Sequence, residues 1–195
     1  VCVPRNMTKA AGFYNTLISS DDPALVIECL NGYRLKEKEP SNYGNFTTPI
    51  GIPEIVVEGD DVTIVSYGST FNLCTEAAKE LEELNISCEL VDVQTLLPFD
   101  INHLIVESIK KTNKVIFIDE DVSGGATAYM MDQVLNKQNG YFHLDAQPVT
   151  LTSKDHRPAY GSDGDYFSKP NKDDIIEAVY NLMHEYNPNS YPSLM

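Results

Sequence analysis

The stretch KVIFIDEDVSGGATAYM, residues 114–130, decides the fold class of this chain. In it an apolar run leads into carboxylates and a pair of glycines, which open directly into a helix-forming segment. This order predicts a strand, a tight turn and a helix of a parallel α/β sheet. Ligands and partner domains commonly meet such sheets at the carboxyl ends of the strands. The polar residues of this stretch are therefore expected to lie at a functional edge.

The same alternation of strand and helix continues on both sides of this stretch. Strands are predicted over 62–68, 88–93 and 148–153, and helices over 71–85, from Asp100 to Ile109 and over 172–186. Ser69 or Thr70 is expected to cap the first of these helices, and Asn171 the last. The apolar stripes of the first two are predicted as Leu73, Ala77, Leu81, Leu84 and Ile101, Leu104, Ile105, Ile109. The pattern predicts a three-layer α/β fold, a mainly parallel sheet with helices on both faces.

The first 58 residues follow a different pattern. Residues 6–18 have helical spacing of apolar side chains, and ALVIEC at 24–29 is interpreted as a buried strand. From 31 to 58 the composition changes to Gly, Pro, Asn, Thr and Lys, which is typical of an extended linker. We therefore expect three parts: 1–30, a linker over 31–58, and a main domain over 59–195.

Composition restricts the class of protein. The formal net charge of −15 argues against nucleic acid and anionic membranes as partners and favours basic proteins. Four cysteines lie far apart without a CxxC pair, which indicates reduced, mostly buried thiols in a cytoplasmic protein. No apolar run approaches the roughly 20 residues that span a bilayer. The chain begins with Val rather than Met, which we interpret as a piece of something longer.

No complete catalytic set is visible in the sequence. The Gly124–Gly125 pair could cradle a phosphate, but Glu120 and Asp121 would repel it, so a helix–sheet or domain contact is the favoured interpretation. Asp119 with its two acidic neighbours could act as an acid–base pair, yet adjacent strand residues point to opposite sides. The four histidines lack metal-ligand spacing, and GxSxG is absent. We therefore predict no catalytic residue in this chain.

Several segments together resemble one family. EGDDVTIVSYGS, SCELVDVQTLLPFD, VIFIDEDVSGGATAYM and the closing P-x-x-x-D-I-I-E-A-V resemble, in order and spacing, the C-terminal domain of the β subunit of thiamine-diphosphate-dependent 2-oxoacid dehydrogenases. This is the transketolase C-terminal-domain fold. VPRNMTKAAGFYNTLISSDDPALVIEC is similar to the end of the family's pyrimidine-binding domain, and GYR and PIG match its linker. The resemblance implies that 1–30 is the tail of that domain.

The resemblance also implies which parts are missing. In the family, the activating glutamate and the active-site histidine lie before the position of Val1, and the α part holds the diphosphate and magnesium. Thiamine diphosphate and Mg²⁺ are thus expected in the full enzyme and none bound to this chain, because the cofactor supplies the chemistry and the protein must position it between two domains. The implied reaction is oxidative decarboxylation of pyruvate or a branched-chain 2-oxoacid, with transfer of the acyl group to lipoyl.

Five positions depart from the family pattern. Gln94 stands where the family usually has Arg, which puts a subunit contact in doubt. Asp119 replaces the family's His before Glu120, and Cys29–Leu30 replaces Pro-Lys. Some relatives bind potassium at the turn that matches Leu17 to Asp22. Leu17 and Asp22 are therefore predicted as potassium ligands, with ordinary helix termination as the alternative, because Ser20 replaces a common aspartate.

The family also suggests partners. A homodimer is expected, together with the upstream part or α subunit of the dehydrogenase and the basic subunit-binding domain of the lipoyl acyltransferase. Glu120, Asp121, Gly124, Gly125 and the acidic C-terminal helix are predicted interface residues, since opposite charge accelerates encounter. Two alternatives stay open. One is another transketolase-superfamily enzyme, such as a transketolase or deoxyxylulose-phosphate synthase, and the other is a stand-alone, non-catalytic dimerisation or docking module.

Overall fold

A five-stranded sheet organises the chain. The computed structural model describes residues 1–40, 42, 44–161 and 163–193, apart from the side chain of Asn31. The strands are β1 (Glu54–Val57), β2 (Val62–Ser66), β3 (Cys88–Asp92), β4 (Val115–Val122) and β5 (Val149–Ser153). They lie in the order β1-β3-β2-β4-β5, and only β1 runs antiparallel to its neighbour.

Helices cover both faces of this sheet. They are α1 (Met7–Ile18), α2 (Thr70–Glu83), α3 (Leu104–Thr112), α4 (Ala126–Met131, continued by a π-helical stretch Asp132–Lys137), α5 (Gly164–Ser168) and α6 (Lys172–Tyr186), with short 3₁₀ turns at Leu30–Arg34 and Gly140–His143. In the part of the chain that the structure describes, none of these helices has the length and apolar character to cross a membrane. The predicted three-layer, mainly parallel α/β architecture is confirmed.

Alternation along the strands divides the core into two halves. Ile64 of β2 packs with α2 and α6, and its neighbour Val65 packs on the opposite face with α3 and α4. Both side chains are fully buried. A central strand covered on both faces is buried throughout, which explains why the run VTIV at 62–65 is recognisable as a strand without an alternating apolar pattern.

The prediction of a buried strand at 24–29 is wrong. This segment makes a single bridge, in which Cys2 N–H donates to the Leu25 carbonyl (2.9 Å) and Ile27 N–H donates to the Cys2 carbonyl (2.8 Å). The side chains of Leu25 and Ile27 are 57% and 45% exposed. An apolar run forms a buried strand only where other elements cover it. Among the described residues, this segment has backbone pairing with Cys2 alone.

The range predicted as linker contains one strand. β1 lies at 54–57 and pairs with β3, with Glu54 opposite Asp92. Its sequence EIVV is short and preceded by Pro53, so the composition of the surrounding segment concealed it. The final part of the linker range is therefore held in the sheet as an edge strand.

The helix ends differ from the predictions in three places. Asn171 caps α6 with a complete capping box, as predicted. Ser69, in contrast, makes no side-chain cap on α2, because its backbone is already helical. Leu84 and Ile101 are 43% and 55% exposed, since α2 ends at Glu83 and α3 begins only at Leu104, where the buried Asp100 carboxylate accepts two backbone N–H groups.

One close backbone approach yields a test of the sheet. Gly59 precedes β2, and a Cβ there would lie 2.2 Å from the carbonyl carbon of Cys88. We expect Gly59→Ala to lower the free energy of unfolding by about 2–3 kcal/mol, because the clash is with backbone and cannot be relieved by a side-chain rotation. Urea denaturation measures the change. Gly44→Ala is the control, since nothing lies within 4 Å of its added carbon; equal stability of the two variants would contradict the close approach.

Candidate functional site: the carboxyl edge of the sheet

Three neighbouring strands end in polar residues at one edge of the sheet. Asp92 ends β3, Tyr67 follows β2, and Asp119 lies where the buried half of β4 gives way to its exposed half. Parallel strands place their carboxyl ends together, so these groups face the same space. The N-terminal segment, residues 1–35, lies across this edge: Val3 N–H donates to the Gln94 carbonyl over 2.8 Å.

Arg5 ties this segment to the sheet. Its guanidinium donates to Asp92 Oδ2 over 2.5 Å and to Glu54 Oε2 over 2.6 Å, and Lys9 Nζ lies 2.9 Å from the same Glu54 oxygen. The guanidinium also stacks 5.6 Å from the centre of the Phe71 ring. Because the Asp92 side chain is fully buried, Arg5 compensates a charge that water cannot reach.

The pKa of Asp92 reflects a balance of opposing effects. Burial raises it to about 6, and the Arg5 guanidinium together with the Gln94 backbone N–H offsets only part of that rise. At Glu54 the balance reverses: burial raises the pKa, but Lys9 and Arg5 lower it further than burial raises it. The more exposed carboxylate is thus held charged, while the buried one titrates near neutrality.

The side chain of Gln94, which the sequence resemblance places where an arginine is expected, takes no part in this ion pair. Its side chain is buried and donates from Nε2 to the Ile52 carbonyl over 3.0 Å, and Gln94 Oε1 has no hydrogen-bond partner among the described residues. Its backbone is left-handed, with φ of 61°. The guanidinium that reaches Asp92 belongs to Arg5.

Tyr67 and Asp119 form the second polar pair. The Tyr67 hydroxyl donates to Asp119 Oδ2 over 2.5 Å, and the Glu120 backbone N–H donates to Asp119 Oδ1 over 2.6 Å. Burial raises the pKa of the Asp119 carboxyl, and these hydrogen bonds offset part of that shift. Burial also raises the pKa of Tyr67, as does the hydrogen bond to the neighbouring carboxylate. The tyrosine is therefore held protonated as a donor.

Glu120 and Asp121 make separate contacts beside this buried pair. Glu120 accepts from Lys169 Nζ over 3.0 Å and from the Ser69 hydroxyl over 3.4 Å, while Asp121 Oδ1 accepts from the Val122 backbone N–H. Both carboxylates are exposed. The two sides of β4 thus separate Asp119 from Glu120, so the strand does not assemble an acid–base pair, and the interpretation from strand alternation is the one that the geometry supports.

The glycine turn lies beside these carboxylates. Gly124 has φ of +83°, a conformation that L side chains rarely adopt, and its added Cβ would meet nothing within 4 Å. A Cβ on Gly125 would lie 2.1 Å from Asp121 Oδ2. A carboxylate oxygen thus sits against the turn, which disfavours a phosphate there. The proposed interface role of Glu120, Asp121, Gly124 and Gly125 stays a prediction.

Acidic and aromatic residues of the N-terminal segment line the opposite wall. Glu28 accepts from the Tyr14 hydroxyl over 2.5 Å and also from the Tyr33 hydroxyl. These two donors lower the pKa of Glu28. Cys29 is half-buried beside Pro4, and burial raises the pKa of its thiol. A reactive thiolate is therefore not favoured at this position.

Two adjoining cavities occupy the space between these walls. One, of about 600 Å³, is lined by Glu28, Tyr67, Asp119 and Asp121, and the other, of about 400 Å³, by Leu35, Leu73, Tyr166 and Pro170. Cys29, Ser69, Thr70, Glu120 and Lys169 line both. We call the two cavities together the edge groove. The Glu120–Lys169 ion pair stands between its acidic and apolar lobes.

The predicted potassium ligands lie elsewhere, at the end of α1. The Leu17 carbonyl accepts from the Ser20 backbone N–H over 3.0 Å, and the Asp22 backbone N–H donates to the Ser20 hydroxyl over 3.2 Å. Leu17, Ser20 and Asp22 line a common cleft. These contacts describe how the helix terminates, and potassium binding at Leu17 and Asp22 stays a prediction. Elsewhere in the described ranges, no three His, Cys, Asp or Glu side chains gather in a way that could hold a metal ion.

Sequence reasoning missed the residues that assemble this edge. Arg5 is 87 residues from Asp92, and Lys169 is 49 from Glu120, so no local pattern connects them. A signal did exist for Asp92, since a carboxylate at the end of a strand that is buried on both faces needs a partner. That reasoning would have predicted a cationic partner for Asp92 without identifying it as Arg5.

Comparison with known proteins identifies the family to which this chain belongs. Residues 51–175 match the C-terminal domain of transketolase, so the chain belongs to the transketolase C-terminal-domain family. Its relatives include the 2-oxoisovalerate dehydrogenase subunit beta of Bacillus subtilis, 31% identical over 156 residues, which are 80% of this chain and 46% of that protein. Pyruvate dehydrogenase E1 β subunits are also among them. The resemblance read from the sequence is confirmed.

Two further relatives extend this comparison. The acetoin:2,6-dichlorophenolindophenol oxidoreductase subunit beta of Bacillus subtilis is 31% identical over 191 residues, covering 94% of this chain and 52% of that protein. A solved split-gene transketolase, described as an inactive beta4 tetramer, superposes with a TM-score of 0.59 at 27% identity, over 72% of this chain and 44% of that one. The chain thus spans about half the length of the curated relatives it matches.

The Arg5–Asp92 pair predicts a specific pH dependence. Because the folded pKa of Asp92 lies near 6 and above its ordinary 3.8, its contribution to stability is present at low pH and is lost as pH rises through about 6. We expect Arg5→Met to raise this pKa further, so the variant's loss of stability grows between pH 5 and 8. Carbon-13 NMR of the Asp92 carboxyl follows the titration, and urea unfolding follows the stability.

A matched control uses a second arginine of the same segment. Arg34 is exposed, so Arg34→Met should leave the Asp92 titration unchanged. An Asp92 midpoint below 4 in the unmodified chain, or the same midpoint in the Arg5 variant, would contradict the balance described here.

Proposed function

We propose that this chain is the C-terminal portion of the decarboxylating component of a 2-oxoacid dehydrogenase complex, and that it serves subunit association and docking. The full enzyme would decarboxylate a 2-oxoacid oxidatively and transfer the acyl group to lipoyl. Equal identity to a 2-oxoisovalerate dehydrogenase and to an acetoin oxidoreductase leaves the substrate open. The isolated chain is expected to be inactive.

The observation that carries this proposal is an apolar surface on the N-terminal segment. Exposed large apolar side chains crowd there: Ile18 (82%), Leu25 (57%), Ile27 (45%), Leu30 (78%), Tyr33 (57%) and Leu35 (59%). Isolated exposed apolar residues are ordinary, but a run of them in one 18-residue stretch indicates a surface that another body covers. We propose that residues 1–30 are the tail of a pyrimidine-binding domain and that its remainder covers them, with 31–58 as linker and 59–195 as the C-terminal domain.

Two features of the described residues were candidates for holding the diphosphate of thiamine diphosphate, and neither fits it. They are the glycine turn before α4 and the beginning of α2. Asp121 Oδ2 occupies the space beside Gly125, and Glu120 lies against Ser69 at the beginning of α2. Carboxylates at both places would repel an anion. Thiamine diphosphate and Mg²⁺ are therefore proposed for the full enzyme only, bound outside this chain.

Charge supports the proposed docking role. A net charge of −15 favours encounter with basic partners, and Glu120 and Asp121 are exposed at the carboxyl edge. We propose a homodimer that associates with the α part of the dehydrogenase and with the basic subunit-binding domain of the acyltransferase. A cytoplasmic location accords with this role. The split-gene transketolase keeps a transketolase as the second candidate.

The first test measures the size of the native polypeptide. An immunoblot of a lysate of the source organism, with antibody against this chain, should show either a band near twice 21.7 kDa or a larger one, because the curated relatives are about twice as long. A band at 21.7 kDa would contradict the proposal and favour a stand-alone module.

Cofactor binding gives a second prediction. Isothermal titration of the 195-residue chain with thiamine diphosphate and Mg²⁺ should show no binding in the micromolar range, because carboxylates lie beside both the glycine turn and the beginning of α2. A 2-oxoisovalerate dehydrogenase with both subunits serves as the positive control. Micromolar affinity of the isolated chain would overturn the assignment of the cofactor site to other parts of the enzyme.

A further inference from the structure

The connection between the N-terminal segment and the sheet has two different parts. Residues 35–39 are all exposed and lie outside any helix or strand. Residues 46–57, in contrast, are hydrogen-bonded to α1 at their beginning and paired with the sheet at their end. We call residues 46–57 the strap. The composition of 31–58 predicted one extended linker, whereas the structure attaches its second half to both neighbours.

The first half of the strap lies along one face of α1. Asn15 Nδ2 donates to the Phe46 carbonyl over 2.8 Å. Thr16 Oγ1 donates to the Thr48 carbonyl over 2.7 Å, and the Thr48 backbone N–H donates to the Gly12 carbonyl over 3.1 Å. Residues three and four apart are neighbours on a helix surface, so these contacts form one continuous row along α1.

The strap approaches α1 so closely that position 12 requires glycine. A Cβ on Gly12 would lie 2.1 Å from Thr48 Oγ1 and 3.0 Å from the Phe46 ring. Thr48 is 3% exposed at this contact. Glycine inside a helix is less favourable than alanine, because it loses more conformational freedom on folding. The close approach of the strap is the physical reason for a glycine within α1.

The second half of the strap is fixed to the sheet. The Gly51 N–H donates to the buried Thr95 hydroxyl over 2.8 Å, and the Ile101 N–H donates to the Gly51 carbonyl over 2.9 Å. Gln94 Nε2 donates to the Ile52 carbonyl over 3.0 Å, and β1 follows at once, paired with β3. Attachments this close in sequence leave little room for the backbone rotations that a hinge requires.

Ion pairs attach α1 to the sheet a second time. Lys9 Nζ lies 2.9 Å from Glu54 Oε2 of β1, one helical turn before the contacts with the strap. Arg5, just before the helix, donates to Glu54 and to Asp92. A helix held at several points along its length cannot rotate relative to the sheet without breaking some of these contacts.

We propose that the strap locks α1 to the sheet, so that the N-terminal segment and the C-terminal domain form one rigid body. The orientation is set by the row of contacts along α1 and not by the length of the exposed connection 35–39. In a larger enzyme, the C-terminal domain would then hold the domain that ends at residue 30 at a fixed angle. Motions that admit a substrate would have to occur elsewhere.

The lock goes beyond the proposed function and rests on it only in taking residues 1–30 as the end of a second domain. A stand-alone module can have α1 locked to its sheet equally well. A native band at 21.7 kDa would therefore contradict the proposed function and leave the lock intact. Independent motion of α1 would contradict the lock alone.

The test is NMR spectroscopy of the 195-residue chain. Residual dipolar couplings of backbone amides in α1, β2, β3 and β4 should all fit a single alignment tensor. Gly12→Ala should accelerate hydrogen exchange of the Thr48 amide about tenfold, because the added carbon displaces the strap from α1. The Gly51 amide, held by Thr95, should change by less than about twofold.

Two further variants separate the strap contact from general effects on α1. Thr16→Val removes the hydroxyl that donates to the Thr48 carbonyl without adding volume, and should accelerate exchange of the Thr48 amide about fivefold. Ile18→Ala is the control, because Ile18 is 82% exposed, and it should leave this exchange rate unchanged. A flexible Gly–Ser insertion between Lys38 and Glu39 should leave the dipolar couplings of α1 unchanged.

Three results would overturn the lock. The first is a set of couplings from the unmodified chain that needs separate alignment tensors for α1 and the sheet. The second is an exchange rate of the Thr48 amide that neither Gly12→Ala nor Thr16→Val alters. The third is a change of the α1 couplings on insertion after Lys38, which would mean that the exposed connection sets the orientation. Circular dichroism checks folding, and Thr16→Val keeps the test valid if Gly12→Ala unfolds.

Discussion

The carboxyl edge of this protein depends on how one buried carboxylate is neutralised. Asp92 ends β3 directly opposite Glu54 of the antiparallel edge strand. Like charges facing each other across a strand pair destabilise it, and a fully buried one costs more. Arg5 resolves both problems, because its guanidinium reaches both carboxylates. Because the buried Asp92 carboxylate needs the Arg5 guanidinium as its partner, this ion pair holds the N-terminal segment against the sheet.

That attachment determines the rest of the edge. Once Arg5 is in place, Glu28 and Cys29 lie over the beginning of α2, and the edge groove forms between them and β4. The polar groups there are engaged with one another: Tyr67 with Asp119, and Lys169 with Glu120. We propose that this edge serves contact with other molecules, and its similarity to proteins named as dehydrogenase subunits supports that proposal.

Local patterns predicted the parts of the fold that local physics determines. The apolar runs of β2 and β4 and the capping box at Asn171 depend on neighbours in sequence, and the structure has them where expected. The prediction of a buried strand at 24–29 failed because the same apolar sequence is compatible with a buried strand and with an exposed segment. The ion pair of Arg5 with Asp92 lies beyond such reasoning, since only the folded chain brings the two together.

We propose that the apolar surface of the N-terminal segment is an internal surface of a larger enzyme. Hydrogen–deuterium exchange over residues 17–35 tests it directly, by comparing the isolated chain with the native protein purified from its source. β2, buried in the sheet, serves as the reference that is protected in both. We expect fast exchange of 17–35 in the isolated chain and strong protection in the native protein. Equally fast exchange in both would contradict this proposal, because it would mean that nothing covers the surface.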